Sequence, residues 1–112
     1  MILIVGGAYQ GKRAYALEAL GLDEGRVVDH VELRIRKWVD EGLDPVMETE
    51  RCLPAWRDKA LLLEDVCCGI VPMDARDRAY REAVGRCGTL LSKNAQRVVR
   101  VFCGIGTVIK DA

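Results

Sequence analysis

The chain has 112 residues, 17 of them Lys or Arg and 17 Asp or Glu, and half of the composition is hydrophobic. One domain fits that length, and it is long enough to bury a core without disulfide or metal staples. The charge balance removes any general pull toward nucleic acid or an anionic membrane, and 5% aromatics is too few for a base-stacking platform, so neither partner is expected.

Met1–Val5 (MILIV) is a continuous apolar run ended by Gly6-Gly7, the pattern of a buried parallel strand. It has no basic leader or cleavage site, so it is not read as a signal peptide, and a cytoplasmic location is expected. No apolar run approaches the ~20 residues of a membrane span. Lys12–Leu20 fits a helix with Ala14, Leu17 and Leu20 on one side and Gly21 as its stop. Arg26-Val27-Val28 is a short strand candidate. Asp29 and Glu32 have the spacing of a capping box before a helix with Val31, Ile35, Trp38 and Val39 as its apolar stripe, ending at Gly42. Asp44–Asp58, broken by Pro45 and Pro54, reads as loop with at most one helical turn.

Ala60–Glu64 (ALLLE) is the next buried-strand candidate. Asp74 can cap a long helix with Tyr80, Val84, Cys87 and Leu91 on one face. Gly85 and Gly88 lie inside that helix at a cost of about 1 kcal/mol each, and such glycines mark close packing. On its polar face Arg76, Arg78, Arg81 and Arg86 alternate with Asp74, Asp77 and Glu82, as in a solvated face with i,i+4 pairs. Arg97–Cys103 is the last long strand, and Gly104-Ile105-Gly106 reads as a tight turn into Thr107–Lys110. Strands alternating with helices indicate an α/β domain with a mainly parallel sheet.

The five cysteines (Cys52, Cys67, Cys68, Cys87, Cys103) form no C-x-x-C pair, and an odd number cannot pair off completely. Reduced thiols are expected, with Cys67-Cys68 as two small buried thiols. The single histidine, His30, has no cysteine or histidine near it in sequence, so no metal site is expected.

The sharpest local signal is Gly6-Gly7-Ala8-Tyr9-Gln10-Gly11-Lys12-Arg13, a G-x-x-x-x-G-K loop between a predicted strand and a predicted helix. Glycines let successive N–H groups turn inward on phosphate oxygens, the helix start adds partial positive charge, and Lys12 can reach the β- and γ-phosphates. All eight residues are therefore candidate nucleotide-binding residues, with Lys12 also a candidate catalytic residue. The loop normally ends in Ser or Thr, whose hydroxyl ligates Mg²⁺; Arg13 cannot bind a metal, so Mg²⁺ accompanying the nucleotide would be held more weakly. The fold class this predicts is a P-loop NTPase-like three-layer α/β domain, its small, mainly parallel sheet flanked by helices.

MILIVGGAYQGKRAYALEAL resembles the opening of the adenosylcobinamide kinase/adenosylcobinamide-phosphate guanylyltransferase family of cobalamin biosynthesis. The resemblance returns over Cys68–Lys110, in Gly69-Ile70-Val71-Pro72, Arg78, Tyr80, Arg81, Gly85-Arg86 and Gly104-Ile105-Gly106. It implies GTP or ATP as nucleotide, phosphorylation of the aminopropanol hydroxyl of a cobinamide-like corrinoid, then GMP attachment through a histidine–nucleotide intermediate. It implies that Glu64, closing ALLLE, is a strand-end carboxylate contacting nucleotide or metal, and so a candidate catalytic residue; a solvent-facing strand end is the competing reading. The transferring histidine belongs to an R-I-x-x-H segment, but Arg34-Ile35 are followed by Arg36, Lys37 and Trp38, so guanylyl transfer is expected to be lost. His30, upstream of that slot, is expected as a cap neighbour or exposed residue.

ALLLED runs directly into VCCGIVP, where the family has a further strand–helix unit. Residues 1–112 are thus expected to form a single shortened P-loop domain, and Ala60–Glu64 is either of the family's two central strands there. Three functions follow: a reduced nucleotide-dependent kinase acting on a cobinamide-like alcohol, a non-catalytic nucleotide-binding regulator, or a structural offshoot that no longer binds nucleotide productively. The family is oligomeric and a shortened sheet leaves an open edge, so a homo-oligomer is expected.

Overall fold

Continuous apolar runs become strands covered on both faces, because only a sheet with helices above and below hides every side chain of such a run. The computed structural model describes residues 1–66 and 74–112. Five strands, β1 (Ile2–Gly6), β2 (Val27–Val28), β3 (Ala60–Glu64), β4 (Arg97–Phe102) and β5 (Ile105–Asp111), form one sheet of order β2-β3-β1-β4-β5. β1 runs parallel to β3 and β4, β2 runs parallel to β3, and only β5 is antiparallel. β3 pairs directly with β1 along its whole length, from Ile2 opposite Ala60 to Gly6 opposite Glu64.

The strands alternate between two cores. Leu3, Leu61, Leu63 and Val98 point to one face, where helices α2 (Val31–Asp40), α3 (Pro45–Trp56) and α4 (Ala75–Asn94) bring Val31, Ile35, Trp56, Val84, Cys87 and Leu91. Ile4, Leu62, Val99 and Val101 point to the other, where Ala16 and Tyr15 cover them. Three layers result, as expected of the α/β class. Each fully buried Leu or Ile contributes roughly 1.5–3 kcal/mol against entropy costs of similar total size.

Several elements differ from the sequence reading. The helix expected over Lys12–Leu20 is α-helical only for Lys12–Ala14 (α1), then widens into π-helical turns over Tyr15–Ala19. Asp44–Asp58 is mostly helix, not loop. Asp44 caps α3, its Oδ1 accepting from the N–H groups of Val46 (3.0 Å) and Met47 (3.4 Å). Pro45 occupies the first turn, where its missing N–H costs nothing, and Pro54 falls in the last turn. Val46, Thr49, Leu53 and Trp56 then fall at helical spacing against the core.

The strand expected over Arg97–Cys103 stops at Phe102. Cys103 (φ 50) and Gly104 (φ 77) make the two-residue turn, while Ile105 and Gly106 already belong to β5. Two positive φ values in succession match the twist of a tight hairpin. The cap of α4 is as expected, Asp74 accepting from the Arg76 N–H at 2.7 Å. Its basic face pairs partly across to α2: Arg76 meets Asp40 at 3.2 Å and Asp77 meets Arg36 at 3.7 Å, while Arg86–Glu82 is an i,i+4 pair at 2.6 Å. Cys67-Cys68 and Gly69–Pro72 lie outside the described residues.

Candidate functional site

The Gly6–Arg13 loop leaves the C-terminal end of β1 in the middle of the sheet, where parallel strands gather their functional loops. Gly6 is buried, and a Cβ there would lie 2.5 Å from the Val101 carbonyl oxygen, so only glycine lets β4 come this close. Gly11 holds φ 92 and immediately precedes α1. Lys12 folds back over the loop, its Nζ donating to the Gly7 carbonyl at 2.7 Å. Ala8 and Tyr9 form the exposed tip, Tyr9 in the left-handed region at φ 59.

Gln10 fastens the loop to the far end of the chain. Its side-chain Oε1 accepts from the Cys103 N–H at 2.7 Å, and its carbonyl accepts from the Gly104 N–H at 2.8 Å. The loop therefore rests on the β4–β5 turn as well as on β1. Gly104 packs against Gly11 at this point, where a Cβ on Gly11 would lie 3.3 Å from the Gly104 Cα.

Arg13 pairs with residues outside the loop. Its guanidinium donates to Glu24 Oε1 at 2.8 Å and to Asp29 Oδ2 at 3.2 Å, and the hydrogen bonds to Glu24 and then Asp29 push its already high pKa up. A permanent cation does not ligate a metal, and carboxylates here take two of its five N–H donors. The residues at the Ser/Thr position of the loop therefore do not fit a protein-held Mg²⁺. Among the described residues no group of three or more His, Cys, Asp or Glu side chains could hold a metal ion.

Glu64 stands at the C-terminal end of β3, opposite Gly6 and half-buried, beside a cavity of about 560 Å³ between the sheet and α4. The structure thus brings the loop and Glu64 together at the C-terminal ends of the neighbouring central strands β1 and β3. What the sequence missed lies behind Glu64. Glu32, expected to close a capping box with Asp29, is instead 2% exposed, and the N-cap residue of α2 is His30. One Glu32 oxygen accepts from the Glu64 backbone N–H at 2.9 Å and the other meets His30 Nδ1 at 3.1 Å. His30 itself sits in the left-handed region (φ 52, ψ 49), its own N–H donating to Asp29 Oδ1 at 2.8 Å. Arg13, Asp29, His30, Glu32 and Glu64 form one connected network. The one signal for it was a charged residue, Glu32, at a position one turn before the apolar Ile35, where α2 faces the core.

A family model described as cobinamide kinase / cobinamide phosphate guanyltransferase matches residues 24–109. No curated protein matches the chain. The match includes Asp29, Glu32, Glu64 and the β4–β5 turn, and it begins after the Gly6–Arg13 loop. No helix among the described residues is long and apolar enough to cross a membrane.

Proposed function

Since the chain belongs to the cobinamide kinase / cobinamide phosphate guanyltransferase family, we propose that it binds GTP or ATP at Gly6–Lys12 and transfers the γ-phosphoryl group to the hydroxyl of a cobinamide-like corrinoid. The observation that carries this reading is the arrangement of Lys12, held across the loop on the Gly7 carbonyl at 2.7 Å with Glu64 one strand away. Phosphoryl transfer is chiefly positioning and neutralisation of charge. Loop N–H groups and Lys12 supply both, with Lys12 exchanging the carbonyl for a phosphate oxygen. Guanylyl transfer is absent from the proposal, because Trp38 stands where the family's histidine belongs.

Titration with GTP, ATP and GDP, with and without Mg²⁺, tests the binding half. A dissociation constant that rises at least tenfold in Lys12→Ala supports it, and no binding to any of the three refutes it. Transfer of label from γ-labelled GTP or ATP to cobinamide, lost in Lys12→Ala, tests the chemical half. Binding without transfer would leave the second reading, a non-catalytic nucleotide-binding regulator, which the ion-paired state of Arg13 favours. The whole chain then acts as one shortened P-loop domain, and it is a homo-oligomer. Support for the last point is the outer edge of β5 with Ile105, Val108 and Ile109 exposed beside it. Sedimentation at micromolar concentration distinguishes monomer from oligomer.

A further inference from the structure

We infer that His30 is the general base of the proposed transfer, with Glu32 as its positioning residue; the inference rests on the phosphotransferase reading. It follows from three observations at the C-terminal ends of β2 and β3. First, Glu32 is a buried carboxylate held rigidly, because its other oxygen is committed to the Glu64 N–H at 2.9 Å. A carboxylate only accepts, so the 3.1 Å contact requires His30 Nδ1 to be the donor. The neutral ring then carries its lone pair on Nε2.

Second, among the described residues nothing hydrogen-bonds that nitrogen. The His30 side chain is 63% exposed, and the nearest carboxylate oxygen to Nε2, Asp29 Oδ1, is 3.8 Å away, beyond hydrogen-bond reach. A buried carboxylate orienting one imidazole nitrogen while the other faces solvent is the geometry of a positioned proton acceptor. Third, the residue that precedes His30 is paired with the last residue of the loop. Asp29, the preceding residue, holds Arg13 at 3.2 Å, and Arg13 follows the loop lysine. His30 also keeps a left-handed backbone, which an ordinary N-cap does not need.

In the step, the acceptor hydroxyl gives its proton to His30 Nε2 as its oxygen bonds to the γ-phosphorus. The bond from that phosphorus to the β–γ bridging oxygen breaks, and its electron pair leaves on the nucleoside diphosphate. The imidazolium then returns the proton to water.

The chain has one histidine, so ¹⁵N NMR reads this imidazole directly. The wild type should show Nδ1 protonated and Nε2 bare. In Glu32→Gln the amide oxygen keeps the Glu64 N–H, its NH₂ faces Nδ1, and the proton should move to Nε2. A ring with the same tautomer in both proteins overturns the positioning role whether or not transfer occurs. For the base itself, His30→Asn is the variant of choice, because asparagine tolerates the left-handed backbone. Transfer of label to cobinamide should fall about 100-fold with the GTP dissociation constant unchanged. Wild-type transfer with an unimpaired His30→Asn variant overturns this inference alone. Wild-type protein that binds GTP without transferring label overturns the phosphotransferase reading and the base with it. Label trapped on the imidazole also overturns the base, making Nε2 the nucleophile.

Discussion

Replacing Gly6 with alanine isolates what holds the phosphate loop in place. The added Cβ would lie 2.5 Å from the Val101 carbonyl oxygen, whereas close carbon–oxygen approaches are ordinarily about 3.3 Å or longer. Relief requires a movement of nearly 1 Å, and the obstacle is backbone, not a side chain that can turn aside. β4 cannot yield freely, since it is paired with β1 on one side and with β5 on the other. Overpacking of this kind costs about 2–3 kcal/mol, or roughly 8–12 °C in melting temperature for a chain of this size. Because Gly6 is where β1 becomes loop, the strain also displaces Gly7 and with it the acceptor of Lys12. Thermal denaturation followed by circular dichroism, together with GTP titration well below the transition, measures both effects. A melting temperature within 2 °C of the wild type would refute the claim that β1 and β4 meet here at glycine distance.

Gly88→Ala should act in the opposite sense: among the described residues its Cβ meets only the Leu63 Cδ2 methyl at 3.3 Å, a small adjustment against the roughly 1 kcal/mol that alanine gains in a helix interior. Its melting temperature should rise by a few degrees, and a fall would show that Leu63 is immobile. Arg13→Ser should release Glu24 and Asp29 and add a metal-ligating hydroxyl, so nucleotide binding should become at least tenfold tighter with Mg²⁺ than without; equal binding would show that the hydroxyl alone does not restore a metal site. Burial raises the Cys87 and Cys52 thiol pKa values, which lowers their thiolate fractions at any given pH below those values. Iodoacetamide at pH 8 followed by peptide mapping should therefore label exposed Cys103 well before Cys87, and first labelling at Cys87 would contradict the packing of α4.

The parallel core was readable in the sequence because β1 and β3 are apolar at successive positions, a pattern only double-sided burial produces. The loop was readable because its glycines and lysine keep a fixed spacing between a strand and a helix. α3 was hidden by its two prolines, which are helix breakers in the interior but harmless in the first turn and tolerated in the last. The turn was placed one residue late at its start and two at its end because Cys103, not a glycine, takes the first left-handed position. Glu32 was misread for a deeper reason. A capping box and a buried hydrogen-bond acceptor need the same residue at the same spacing, and only the direction of the helix start, set by His30, separates them.

The hydrogen bond from Cys103 to Gln10 spans 93 positions, and β1 has both its partners far downstream, at Ala60 and Arg97. A chain emerging from the ribosome makes the loop early but cannot give it its support until the β4–β5 hairpin has been released. Closing contacts over that separation is slow compared with forming α2 or α3. The helices and the glycine loop are thus made well before the hairpin that holds Gln10 is available.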